Sequence, residues 1–157
     1  MALEYRSTEV FLKPDVVYGS KLVSKFTNNL MRKGKKGLAE KILYNSLQLV
    51  KKKLPDKEPI EVLEVAVNNV KPIMEVRSRR IGGATYQVPV EVPRKRQLSL
   101  AFRWIIQATK AKKGRPMAQR LADELVDAYK KQGAAYTKRE NTHKMAEANK
   151  AFAHFTW

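Results

Sequence analysis

Met74-Glu75-Val76-Arg77-Ser78-Arg79-Arg80-Ile81-Gly82-Gly83-Ala84-Thr85-Tyr86-Gln87-Val88-Pro89-Val90-Glu91-Val92 is the stretch whose reading decides the architecture. Apolar and polar residues alternate on either side of Gly82-Gly83, the period-two pattern of two strands joined by a tight turn. The spacing predicts a β-hairpin at about residues 73–92. Pro89 has no N–H to give to a further ladder, so its strand belongs to an edge or to a free-standing arm. A three-residue loop, Ile81-Gly82-Gly83, pairs Met74 with Val90 and Val76 with Val88. That gathers the apolar residues on one face, to dock on the rest of the molecule, and presents Arg77 and Arg79 with Thr85 and Gln87 on the other. A two-residue loop would set apolar residues against Arg77 and Glu75. The three-residue loop is therefore the expected register.

On both sides of this ribbon the periodicity is helical. Upstream, Ser20 suits the N-cap of a helix with Leu22, Val23, Phe26 and Leu30 on one face, ending at the basic turn Arg32-Lys33-Gly34-Lys35-Lys36-Gly37. A second helix is expected over about residues 38–53, with Ile42, Leu43, Leu47 and Val50 in a stripe and Pro55 ending it. Pro59 suits the first turn of a third, along which Ile60, Leu63, Val67 and Val70 keep helical spacing. Glu58, Glu61 and Glu64 near its start complement the helix dipole. Downstream, a helix from Pro93 carries Leu98, Phe102 and Ile105 on one face and Leu100 and Trp104 on the next, an apolar arc wide enough for a central position. The charged linker Lys110-Ala111-Lys112-Lys113-Gly114-Arg115-Pro116 follows. A fifth helix is expected from Pro116 to about residue 130, with Leu121, Leu125 and Tyr129 inward, Asp123, Glu124 and Asp127 facing away, and Gly133 as terminator. The last helix, from about Ala134, has only a thin apolar stripe, so much of it should face a partner or solvent. The expected fold is mainly α: one six-helix domain at residues 20–157 with a protruding two-stranded antiparallel arm, preceded by an extended tail at 1–19.

The 157 residues are 43% hydrophobic, enough for one core, yet 32 Lys and Arg against 15 Asp and Glu leave a net charge of +17. Such self-repulsion calls for a polyanion, and nucleic acid rewards many cations because each neutralised phosphate releases counterions. A membrane surface would want a lipid anchor or a helix with one cationic and one strongly apolar face, whereas the basic clusters lie mostly in loops and turns. There is no cysteine, which removes disulfides, thiolate catalysis and cysteine metal sites. Met1 to Lys13 has no apolar run long enough for a signal peptide, so the protein is expected to remain where it is made. Catalysis finds few convergent groups. His143 and His154 are eleven residues apart without a cysteine between them, Gly82-Gly83 lacks the surroundings of a nucleotide-binding loop, and Asp123, Glu124 and Asp127 read as solvation on an exposed face. No cofactor, metal or small-molecule substrate is expected.

Five basic clusters remain: Arg32 to Lys36, Arg77-Ser78-Arg79-Arg80, Arg94-Lys95-Arg96, Lys110 to Arg115, and Lys138-Arg139. Their placement at helix ends and on a hairpin points to nucleic-acid contact, and guanidinium groups on a ribbon suit the bulges and junctions of folded RNA. Basic ribbons on helical bodies also occur in architectural DNA-binding proteins, so composition alone leaves DNA open. An enzyme acting on RNA is a weaker rival.

Two longer motifs carry a resemblance. Val76 to Val92 of the hairpin resembles the signature of the small-subunit ribosomal protein seven family, in its bacterial or organellar form. Lys138-Arg139-Glu140-Asn141-Thr142-His143-Lys144-Met145-Ala146-Glu147-Ala148-Asn149-Lys150-Ala151-Phe152-Ala153-His154-Phe155 resembles that family's final helix, and Gly34-Lys35-Lys36 and Arg103-Trp104-Ile105 fall at the expected intervals. The likeness spans about residues 14–157. It implies a six-helix body with a protruding hairpin, bound to the 3′ major domain of small-subunit rRNA, where it organises the head during assembly. It also implies a place near the exit-site tRNA and the mRNA exit channel, beside the eleventh small-subunit protein, in the cytoplasm or an organelle, with no enzymatic activity. Carried over by position, Lys35, Lys36, Arg77, Arg79, Arg80, Arg94, Arg96, Lys112, Lys113, Arg115, Met117, Lys138 and Arg139 become the expected RNA-facing residues. Gly82, Gly83, His143, Lys144 and Lys150 become those expected near tRNA or mRNA. The tail departs from the family pattern, since Arg6 and Lys13 are offset by Glu4 and Glu9 where relatives often carry several cations.

Overall fold

The computed structural model describes residues 7–156. Glu4 and Arg6, with the rest of the first six residues of the expected tail, lie outside them, as does Trp157. Among the described residues six α-helices surround one core: α1 (Lys21–Leu30), α2 (Lys36–Lys53), α3 (Pro59–Val70), α4 (Arg94–Ala111), α5 (Met117–Tyr129) and α6 (Gly133–Ala148). Between α3 and α4 the chain makes the antiparallel pair β1 (Met74–Ile81) and β2 (Ala84–Glu91), and short 3-10 turns lie at Thr8–Phe11 and Lys150–Phe155.

The helices start where backbone chemistry directs. Pro59 occupies the first turn of α3, and Pro93 and Pro116 are the N-caps of α4 and α5, where an N–H would have had no intrahelical acceptor. The predicted stripes form the interior: Val23, Phe26, Leu43, Leu47, Val50, Leu63, Val67, Val70, Phe102, Ile105, Leu121 and Leu125 are buried. Each such large side chain contributes on the order of 1.5–3 kcal/mol by leaving water. Phe26 meets Phe102 edge to face, centroids 5.3 Å apart, which fastens α1 to α4. The expected centrality of α4 is shared with α5, which packs against α2, α3, α4 and α6. Before α1 the chain is not merely draped. The buried carboxylate of Asp15 accepts from the Val17 and Tyr18 N–H groups and from the Tyr44 hydroxyl on α2, which ties it down. Burial, and then the hydrogen bond to Asp15 and its charge, push the Tyr44 hydroxyl far above its ordinary pKa.

Three expectations are corrected. The hairpin register is Glu75↔Val90, Arg77↔Val88, Arg79↔Tyr86 and Ile81↔Ala84, so the loop is two residues long. Gly82 and Gly83 both have positive φ, +57° and +84°, as the tight turn whose twist matches the strands requires. Glu75, Arg77 and Arg79 therefore share a face with Tyr86, Val88 and Val90. The apparent conflict disappears because Glu75, buried at the root of the arm, is held by Arg77 and Arg96. The second correction concerns the acids of α5: Glu124 is fully buried, Asp123 is half-buried, and Asp127 is the most exposed of the three. Glu124 accepts from the Ala135 N–H at 2.9 Å and pairs with Lys112 at 2.9 Å, which joins α6 and the α4–α5 linker to α5. Third, Gly133 opens α6 instead of ending α5. It has φ +89°, and a Cβ there would come 2.9 Å from Asp127 Cβ and 3.1 Å from Glu124 Oε1. As expected of its thin stripe, α6 buries only Ala135 and Ala146.

Candidate nucleic-acid interface

The ends of α1, α2, α4 and α5 converge on a cavity of about 260 Å³. Its apolar floor is Leu30, Met31, Leu38, Ala39, Ile42 and Met117, and Arg32, Lys33, Lys35 and Lys110 stand around it. The four cations are exposed and none is in an ion pair with a described residue. Burial of its stem and the nearby charge of Arg32 hold the Lys110 ammonium below its ordinary pKa. Like charges gathered around apolar atoms are a costly arrangement in the free protein and a favourable one beside a polyanion that brings its own apolar surface. Leu38 in the floor is more than half exposed. Sequence reading located Lys35 and Met117 separately. It missed Leu38, Met31 and Ile42 as floor and Lys110 as rim, because only the packing of four helix ends brings them together; an apolar residue beside a basic turn was the available signal.

The second cationic element is the arm. At its root the Arg96 guanidinium grips Glu75 through Nε–Oε1 at 2.8 Å and Nη2–Oε2 at 2.9 Å, and Arg77 Nε reaches Oε1 at 2.9 Å. Burial pushes the Glu75 carboxyl up, but the hydrogen bonds from Arg96 and Arg77, with their charges, outweigh it and hold the group below 4.5. Arg96 is thus part of the hinge, while Arg77 is ion-paired and still about half exposed, 47% of its side chain. Arg79 lies across from Tyr86, and Arg80 is exposed on the opposite face of the ribbon with Ser78, Thr85 and Gln87. The Gly82-Gly83 tip is exposed, and so is Arg94 at the start of α4.

The remaining predicted residues divide in the same way. Lys112 is committed to Glu124 and Asp127, and Arg115, 61% exposed, pairs with Asp123, which also holds Lys53. Lys113 between them is exposed and in no ion pair with a described residue. Arg120, not expected from the sequence, donates to the carbonyls of Thr109 and Lys112 and so satisfies the end of α4. On α6, Arg139 donates to the Lys71 carbonyl at 3.1 Å and to Glu140 at 2.7 Å, with its guanidinium 5.6 Å from the Tyr136 ring. His143 Nε2 accepts the Ile73 N–H at 3.0 Å, which makes the ring neutral with its proton on Nδ1. Burial, and then the charge of Arg139, lower its pKa against the opposing effect of Glu140. Both side chains tether α6 to the chain entering β1. Lys138, Lys144 and Lys150 are exposed. No described helix is long and apolar enough to cross a membrane.

The fold is a helical body with an apolar pocket ringed by cations that form no ion pair with a described residue, and a basic ribbon braced at its root. The family model Ribosomal protein S7p/S5e matches residues 3–150, and the chain belongs to that family. It is 58% identical over 144 residues to the small ribosomal subunit protein uS7 of a Nitratiruptor species, covering 92% of each chain. With the protein of the same name from Thermotoga neapolitana it is 55% identical over 146 residues, 93% of this chain and 94% of that one. With that of Rhodopirellula baltica it is 58% identical over 144 residues, 91% and 92% respectively.

Proposed function

We propose that the protein is a structural constituent of the small ribosomal subunit in the cytoplasm, that it binds rRNA, and that it turns over no substrate. The observation that carries the reading is the cation-ringed apolar pocket at the junction of four helix ends, in a chain that shares more than half its residues with ribosomal uS7 proteins along nearly their whole length. Lys35 and Met117 at the pocket, with Lys36, Arg79, Arg80, Arg94, Lys113 and Lys138 around it and on the arm, are the direct contacts. Arg77 and Arg115 contribute the exposed part of their guanidinium groups while remaining paired. Arg96, Lys112 and Arg139 act by holding the arm, the linker and α6 in place. By the family likeness, the rRNA is the 3′ major domain, bound early to organise the head. The arm tip at Gly82 and Gly83, with His143, Lys144 and Lys150, lies towards the exit-site tRNA and mRNA, and the last helix lies towards the eleventh small-subunit protein.

The test is binding of a 3′ major-domain rRNA fragment across a salt series, beside duplex DNA of equal length. Log affinity should fall linearly with log salt, by about 0.7–0.9 per phosphate contact, with several contacts read from the slope. Equal affinity for duplex DNA at matched salt would make it an architectural DNA-binding protein instead. Sedimentation of the tagged chain away from small subunits in a lysate would reject the ribosomal reading.

A further inference from the structure

We propose that the end of the chain is a clasp that positions the arm: Phe152 and Phe155, in the 3-10 turn Lys150–Phe155, grip Tyr86 on β2 and thereby set where Arg79 stands. The consequence for binding rests on the rRNA reading above; the clasp itself does not.

A two-stranded ribbon is marginally stable in water unless something packs against it. The root of this arm is well supported. Val88 and Pro89 are buried, Glu75 is held by Arg96, and His143 and Arg139 fasten the entering chain. Beyond the root the support thins: Ser78, Arg80, Gly82, Gly83, Ala84, Thr85 and Gln87 are all exposed, and Arg79, Ile81 and Tyr86 are half-buried. Tyr86 is the residue that the end of the chain meets. Its ring lies 5.4 Å from that of Phe152 and 5.0 Å from that of Phe155, tilted against both, while the two phenylalanines stack at 6.3 Å with 13° between their planes. These separations fall in the attractive range for aromatic pairs. The neighbouring His154 ring lies tilted against Phe155 at 4.1 Å, and the Thr156 hydroxyl reaches the Pro89 carbonyl at 3.5 Å, so the turn follows β2 over several residues.

Because Tyr86 is directly opposite Arg79 in the ladder, fixing the tyrosine fixes the arginine's strand position. An arm held in one place loses less conformational freedom when a ligand seats on it, so the rings raise affinity without touching the ligand. Phe152 and Phe155 are positioning residues. Their turn is outside the helical core cluster, so its loss should leave the body's packing intact.

Amide hydrogen exchange on the full chain tests this. In Phe152→Ala/Phe155→Ala, amides from Arg79 to Gln87 should exchange about tenfold faster while those of α3, α4 and α5 keep their rates. Phe152→Tyr/Phe155→Tyr keeps the rings and should keep the protection. Tyr86→Ala cuts the same contacts from the arm side and should loosen the same amides, which guards against a defect specific to the altered turn. Unchanged arm exchange in either alanine variant, or equal acceleration in the body, overturns the clasp. Affinity for the rRNA fragment, measured on the same proteins, should fall with arm order. A loosened arm with unchanged affinity would uphold the clasp and reject the arm as an rRNA element.

Discussion

Replacing Glu75 by glutamine removes one negative charge from the root of the arm and changes little else in shape. In the native protein the carboxylate receives Arg96 Nε at 2.8 and 3.1 Å, Arg96 Nη2 at 2.9 Å and Arg77 Nε at 2.9 Å. Hydrogen bonds to charged groups contribute about 1.5–3 kcal/mol each when well shielded. Here the acid side chain is 10% exposed, but the arginines are 42% and 47% exposed and regain water when released. The amide also turns a donor towards one guanidinium. A net loss of about 2 kcal/mol follows, below the roughly 3–5 kcal/mol of a fully buried broken pair. For a chain of this size that lowers Tm by about 4–8 °C. The pH dependence has a definite sign. The native carboxyl titrates below 4.5, so its stabilisation is complete above that value and is lost as pH falls through the lower native one. Thermal unfolding of Glu75→Gln beside the parent should therefore show a constant gap from pH 5 to 8 that closes under more acid conditions. Equal Tm at neutral pH, or a gap that widens with acid, would refute the electrostatic account of the hinge and of the register it supports.

The buried carboxylate of Glu124 makes a second test: Glu124→Gln should cost about 2–4 kcal/mol in urea unfolding, because Lys112 and the start of α6 lose a shielded charge, and an unchanged midpoint would refute this. Gly133→Ala should lower stability by at least about 2 kcal/mol in thermal unfolding, since φ +89° and a Cβ 2.9 Å from Asp127 Cβ both oppose it; a neutral change would mean the turn is loose. His143 should titrate by NMR below 6.5. Its neutral ring stabilises the fold fully above that value, and the contribution is lost as pH falls through the native one, when the Ile73 amide should begin to exchange faster. A midpoint above 6.5 would contradict the acceptor role.

Local chemistry made most of the helical framework legible. Helical spacing of apolar residues marks the buried face before any contact is known, and Pro59, Pro93 and Pro116 lie at helix starts because proline costs nothing there. The hairpin and its approximate limits were equally readable from alternation around Gly82-Gly83. Tertiary structure decided the rest. The register turned on Glu75, whose partner Arg96 is twenty-one residues away and neutralises a charge that alternation alone assigns to the wrong face. Glu124 looked solvated because three acids on one helix usually are, and only the docking of α6 and the linker supplied the N–H and the ammonium that allow its burial. The basic residues around the pocket and on the arm were visible as clusters, but sequence could not separate those committed to internal acids from those ringing the apolar pocket. Charge is a property of a residue type, whereas availability depends on which partners the packed chain brings within reach.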